Sequence, residues 1–244
     1  MSEGAIKALL FDLDDTLLIN DMSEFSPHYF AALTARVKPI CSPEVFMDAL
    51  NAAMRAVWNN DGQNGSNAEV FWKIFAPRLD CDIDEVRSTL EAFYAEDFED
   101  LRKHTKADPH ARPLMDLAFE KGYQVAIVTQ PVFPREAILA RLRWAGVGAD
   151  RYDYDYITTY ENVRACKPHP LFFTTVMEHL GRDPAECLVV GDSPDADLPA
   201  RRLGMRTFWI DRGRIPKLPP AASDAQGNLQ DLIELIKTGE IHDL

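Results

Sequence analysis

Acidic residues gathered at the ends of apolar runs carry the first chemical signal. An apolar run at 6–11 ends in Asp12-Leu13-Asp14-Asp15-Thr16, and a second at 123–128 ends in Thr129-Gln130. A third, at 154–157, is followed after a short connector by Lys167-Pro168. A fourth, at 187–190, ends in Gly191-Asp192-Ser193-Pro194-Asp195-Ala196-Asp197. Several carboxylates in one place repel one another, and some take up protons unless a cation neutralises them. No soft ligand accompanies them, so the fitting ion is hard and oxygen-loving, with Mg²⁺ the leading choice. Such an ion beside the Lys167 ammonium makes a local positive potential suited to a phosphoryl dianion. Phosphoryl transfer needs an in-line nucleophile, charge neutralisation and a proton donor for the leaving oxygen. Asp12 and Asp14, two positions apart, supply the nucleophile and the acid.

These residues meet only if the elements before them bring them together. The runs at 6–11, 123–128, 154–157, 187–190 and 206–210 are continuous and short, as in strands buried on both faces of a parallel sheet. Helix-like stretches at 134–145, 170–180 and 195–203 separate the last four, with Pro at the start or Gly just past the end. The alternation predicts a doubly wound, mainly parallel α/β sheet, a Rossmann-like core. In such a sheet ligands bind beyond the carboxyl ends of the strands, where the motif residues stand.

About a hundred residues separate the first two runs, far more than one crossover requires. They read as helices: one opened by Ser26-Pro27, one by Ser42-Pro43, one capped by Asn67, and one behind the capping box at Asp82. A further helix at 111–121 leads back to the sheet. The expected organisation is a core of residues 1–19 and 105–244 with an all-helical cap at 20–104. Residues 213–227, rich in Pro and Ala, are expected to form an irregular loop before a last helix at 228–237.

In this order and at these strand ends, the four motifs resemble those of the haloacid dehalogenase superfamily of phosphohydrolases. The first, Asp12-x-Asp14-x-Thr16, is complete. Thr129 matches the second, Lys167 in its Lys-Pro-x-Pro setting the third, and Gly191-Asp192 with Asp197 the last. The helical insertion falls where that superfamily commonly places a cap. The resemblance implies that Asp12 attacks phosphorus to form an aspartyl-phosphate, and that Asp14 first protonates the leaving group and then deprotonates water. It implies Mg²⁺ held by Asp12, Asp192 and the backbone carbonyl of Asp14, with Asp197 completing or orienting the shell. Thr129 and Lys167 would bind the phosphoryl oxygens. Two positions depart from the pattern: Gln130 stands where Asn is common, and Cys166 where Gly is frequent.

Composition narrows the partners. A protein that grips a nucleic-acid backbone must line cations along it and gains nothing from a net charge of -13. Cys41, Cys81, Cys166 and Cys187 show neither C-x-x-C spacing nor a zinc pattern. The first residues lack a signal-peptide profile, and no apolar run is long enough to span a bilayer. The expectation is a cytoplasmic enzyme acting on a small phosphorylated metabolite, without nucleic acid or membrane. A phosphomutase shares all four motifs and stays open, as does a catalytically silent phosphate-binding or signalling protein. Asp14 argues against dehalogenation, which needs no second acid. Asp15 and Asp195 are read as turn and helix-cap residues, and His169 as a polar loop residue. Residues 58–67, with Asn59, Asn60, Asp61, Gln63 and Asn64, fit either a substrate-reading loop or an exposed turn.

Overall fold

The structure, a computed structural model, describes residues 5–213 and 222–244. The expectations for the first four residues and for most of the 213–227 loop lie outside that range. The chain opens with β1 (Ala8–Phe11) and the short β2 (Leu18–Ile19), then enters the helices α1 (Met22–Val37), α2 (Pro43–Trp58), α3 (Asn67–Phe75) and α4 (Ile83–Ala92). It returns through β3 (Lys106–Ala107) to α5 (Ala111–Glu120), β4 (Gln124–Ile127), α6 (Arg135–Trp144) and β5 (Tyr156–Ile157). It ends with α7 (Pro170–Leu180), β6 (Cys187–Gly191), β7 (Arg206–Ile210), β8 (Ala225–Gly227) and α8 (Leu229–Thr238).

Among the described residues, six strands form a sheet in the order β5-β4-β1-β6-β7-β8, every neighbouring pair parallel. The five apolar runs account for five of them. Successive side chains on a strand point to opposite faces, and both faces are covered here. Leu9, Phe11, Val125, Ile127, Leu188 and Val190 share a cluster with residues of α5, α6 and α8. Ala8, Leu10, Ala126, Val128 and Val189 pack with Phe172, Phe173 and Val176 of α7. That two-sided burial is why the runs are apolar throughout rather than alternating.

The sequence did not announce β2, β3 or β8. Each is two or three residues long, and β3 and β8 are largely exposed, so none carries an apolar pattern. β2 and β3 pair antiparallel, Leu18 opposite Ala107 and Ile19 opposite Lys106, at the two ends of the helical segment. Within that segment Phe46 and Phe75 meet edge to face at 5.6 Å. Its apolar cluster runs into the core, where Phe98 stacks on Trp144 of α6 at 5.1 Å.

Three helix boundaries differ from expectation. Asp21 caps α1 by accepting from the Ser23 amide, so the helix starts before Pro27 and carries that proline inside. Ser66, not Asn67, caps α3, in a reciprocal capping box with Glu69. Residues 195–203 are not an α-helix: turns lead into a 3₁₀ stretch over Leu198–Leu203. Pro199 lacks the amide that an α ladder needs, and Asp197 is drawn into the contacts described below. Asp195 therefore caps no helix.

Candidate active site

β1 lies between β4 and β6, at the switch point where an open α/β sheet offers its crevice. The Asp12 amide donates to Val190 O at 2.9 Å and the Val128 amide to Phe11 O at 2.7 Å, so pairing continues to the last residues before the motifs. Asp12, Asp192 and Asp197 each bring a carboxylate oxygen within 4.8 Å of the others. Lys167 sits between two of them, its Nζ donating to Asp12 Oδ1 at 2.7 Å and to Asp197 Oδ1 at 2.6 Å. Thr129 is buried in the chain that leaves β4, and its carbonyl accepts from the Thr158 hydroxyl at 2.9 Å.

Burial, with the neighbouring carboxylates adding to it, pushes Asp12 up to about 7 and Asp192 up to about 8, while Lys167 pulls both down. Desolvation works against the Lys167 ammonium, but Asp12 and Asp197 outweigh it and hold the amine protonated. One ammonium does not neutralise three carboxylates, and the excess of negative charge calls for a further cation. Oxygen donors at this spacing suit Mg²⁺. Asp197 is the most committed of the three: its Oδ2 also accepts from the Ser193 amide at 3.0 Å, and the residue is fully buried. Gly191 permits this approach, since a Cβ there would stand 2.2 Å from Asp197 Oδ2.

The Asp14 side chain takes partners of its own. One oxygen accepts from Asn20 Nδ2 at 2.7 Å, and the other pairs with Arg141 of α6. Neither partner was anticipated. The available signal was an arginine on the apolar stripe of α6, between Ile138 and Leu142, both fully buried. Asp15 takes a left-handed φ of 54°, which Asp tolerates, and its Oδ1 accepts from the Asn20 amide at 3.0 Å. Arg212 was also missed. Its guanidinium donates to the carbonyls of Asp15 and Thr16 and pairs with Asp108 at 2.6 Å, tying the first motif to the segment returning from the helices.

Both departures from the expected motifs have structural accounts. Gln130 clasps the backbone of Lys167, accepting from its amide at 2.9 Å and donating to its carbonyl at 3.1 Å. The longer side chain thus bridges the second and third motifs. Cys166 is buried against the helical segment, its thiol donating to Val57 O at 3.5 Å. Asn67, fully buried, donates to Pro131 O at 3.1 Å and accepts from Asn60 at 2.9 Å. Asn60 and Asn67 thus fasten the 59–67 turn to the core. His169 caps α7, accepting from the Leu171 amide at 3.2 Å.

Two other features lie apart from the carboxylates. A cavity of about 480 Å³ is lined by Tyr29, Phe71, Trp72 and Tyr94 of the helices and by Val132 and Tyr160 of the core. None of Asp12, Asp14, Thr129, Lys167 or Asp192 lines it. Cys41 and Cys81, unpaired and forty positions apart, come together beside Asp80 with donor atoms within 4.8 Å. Chain spacing did not reveal that group. Among the described residues, no helix is long and apolar enough to cross a membrane.

Known proteins resemble this chain over most of its length. Residues 6–203 match the haloacid dehalogenase-like hydrolase family. Phosphoserine phosphatase of Thermus thermophilus is 27% identical over 93% of this chain and 98% of its own length. Glyceraldehyde 3-phosphate phosphatase of Pyrococcus furiosus is 28% identical over 87% of this chain and 84% of its own. Among solved structures, a HAD phosphatase from Thermococcus onnurineus superposes with a TM-score of 0.58 at 24% identity, covering 95% of this chain and 98% of that one. A 2-haloacid dehalogenase from Pseudomonas syringae superposes at 0.62 with 21% identity, covering 96% and 99%. At these identities the structural likeness speaks to the fold.

Proposed function

The chain belongs to the haloacid dehalogenase-like hydrolases, and from that premise we propose that it is a phosphatase of small phosphorylated metabolites whose Asp12 carries the phosphoryl group from ester to water. One observation supports this above the others: Asp12 from the end of β1 and Asp192 and Asp197 from the end of β6 converge near the buried Lys167. A dehalogenase needs no second acid, whereas Asp14 is present and held by two side chains.

In this reading Lys167 engages Asp12 Oδ1, and Asp12 Oδ2 attacks phosphorus. The bond from phosphorus to the leaving oxygen breaks as Asp14 delivers its proton to that oxygen. Asp14 then takes a proton from water, which attacks the aspartyl-phosphate, releases inorganic phosphate and restores Asp12. Thr129 donates its hydroxyl to a phosphoryl oxygen, and the Lys167 ammonium balances charge there. Asp12, Asp192 and the carbonyl of Asp14 would hold Mg²⁺, which when bound neutralises the phosphoryl oxygens. Asp197, with both oxygens already engaged, orients Lys167 and the 191–197 loop. We take 20–104 as a cap over a core of 1–19 and 105–244, entered and left through the β2–β3 pair. Four unpaired cysteines accord with a reducing, cytoplasmic setting.

Asp12→Asn should abolish hydrolysis of para-nitrophenyl phosphate, and a chelator should do the same to the unchanged protein until Mg²⁺ is restored. Intact mass of acid-quenched Asp14→Asn should show a phosphorylated chain that Asp12→Asn never forms. Turnover that persists in Asp12→Asn refutes the scheme. Phosphoserine and glyceraldehyde 3-phosphate, named for the curated relatives, head the substrates to compare by kcat/KM.

A further inference from the structure

Arg141 is placed at a cost that its own helix does not explain. It is fully buried in the middle of α6, among Ala137, Ile138, Ala140 and Leu142. A buried guanidinium is costly unless paired, and an apolar residue of similar volume would pack there without that penalty. Its contacts are few. Nε donates to Ala137 O at 3.3 Å, the guanidinium lies 4.3 Å over the Phe133 ring, and Nη1 pairs with Asp14 Oδ2. Nη2 is buried without a partner among the described residues. Among the described residues, Asp14 is thus the one carboxylate with which this cation pairs.

The second Asp14 oxygen is fixed as well. Asn20, almost fully buried, donates to Asp14 Oδ1 at 2.7 Å, while its own amide is tied to Asp15 Oδ1. Each oxygen therefore has one buried donor: Asn20, six residues on in the chain, and Arg141 of α6. We infer that Arg141 is a positioning residue, which with Asn20 sets the direction of the Asp14 carboxylate and so its ability to pass a proton to the leaving oxygen. This rests on the acid role given to Asp14 above. Arg141 itself touches neither phosphorus nor the nucleophile.

A group that only aims the acid matters most where the leaving oxygen needs a proton. Arg141→Met should lower kcat for an alkyl phosphate by at least about tenfold, while kcat for para-nitrophenyl phosphate falls less than about threefold and neither KM moves by more than about twofold. Arg141→Lys should recover part of the alkyl rate, since it returns a charge but not the planar fork. Equal losses for both esters, a change confined to KM, or no change would overturn the inference. Should Arg141→Met fail to fold, Asn20→Ser takes its place, because loosening the other oxygen should give the same selectivity, and its absence would overturn the inference. Asp14→Asn separates the two levels. If it shows no leaving-group selectivity, the acid role falls and this inference with it; if it alone shows selectivity, only Arg141 loses its role.

Discussion

Asp12 and Asp192 set the pH behaviour expected at the scale of single residues. Burial first, then neighbouring carboxylates, raises them to about 7 and about 8, from roughly 4 in an unfolded chain. Between those values the folded chain holds more protons than the unfolded one. The stability these groups contribute is therefore complete below the unfolded value and is lost as pH rises to the folded one. At the proposed site Mg²⁺ would take up the released carboxylates only after the protons have gone. Saturating Mg²⁺ should accordingly raise the midpoint of thermal unfolding much more at pH about 8 than at pH about 5. Equal shifts at the two pH values would contradict the assignment of these oxygens to the ion. The acidic residues themselves were legible because each closes an apolar run. Arg141, Asn20 and Arg212 were not, since a lone arginine or asparagine acquires meaning only from what the fold sets opposite it.

Elements, rather than residues, decide how closely these groups approach. Gly191 closes β6 where any side chain would collide with Asp197, and Asp197 in turn holds both Lys167 and the Ser193 amide. Gly191→Ala should leave the far-ultraviolet spectrum unchanged yet lower kcat by about a hundredfold, because displacement of about an ångström is enough to misalign an attacking group. Full activity in that variant would show that Asp197 can move without consequence. The strands of the core were readable from apolar runs buried on both faces, and α7 from Pro170 at its start and Gly181 past its end. The stretch at 195–203 misled because Gly204 just past its end punctuates it like a helix, whereas Pro199 and the inward pull on Asp197 leave it 3₁₀. β5, also two residues long, showed because its run begins earlier, at Tyr154. β2 and β3 hold too few positions for a period to emerge, and only their partners reveal them.

Across the whole molecule, the helical segment and the sheet share one apolar cluster. Trp144 is its joint: the ring stacks on Phe98, and its Nε1 donates to Glu99 Oε2 at 2.9 Å. Trp144→Ala should cost about 3–5 kcal/mol, read from urea unfolding. In the unchanged protein, unfolding followed by circular dichroism and by tryptophan fluorescence should trace one coincident transition; two separate transitions would show that the helices and the sheet melt independently. The β2–β3 ladder has a further bearing on how such a molecule is assembled. Leu18 opposes Ala107, and Ile19 opposes Lys106, so the chain departs and comes back on facing rungs about 5 Å apart. Everything between is a detour with a closed mouth. A short hairpin turn would bridge that gap without disturbing the strands beneath, and a segment of another length could be spliced onto the same two rungs. On the cap reading proposed above, the ladder would act as a socket, through which selectivity could be exchanged while the chemistry of the core stays in place.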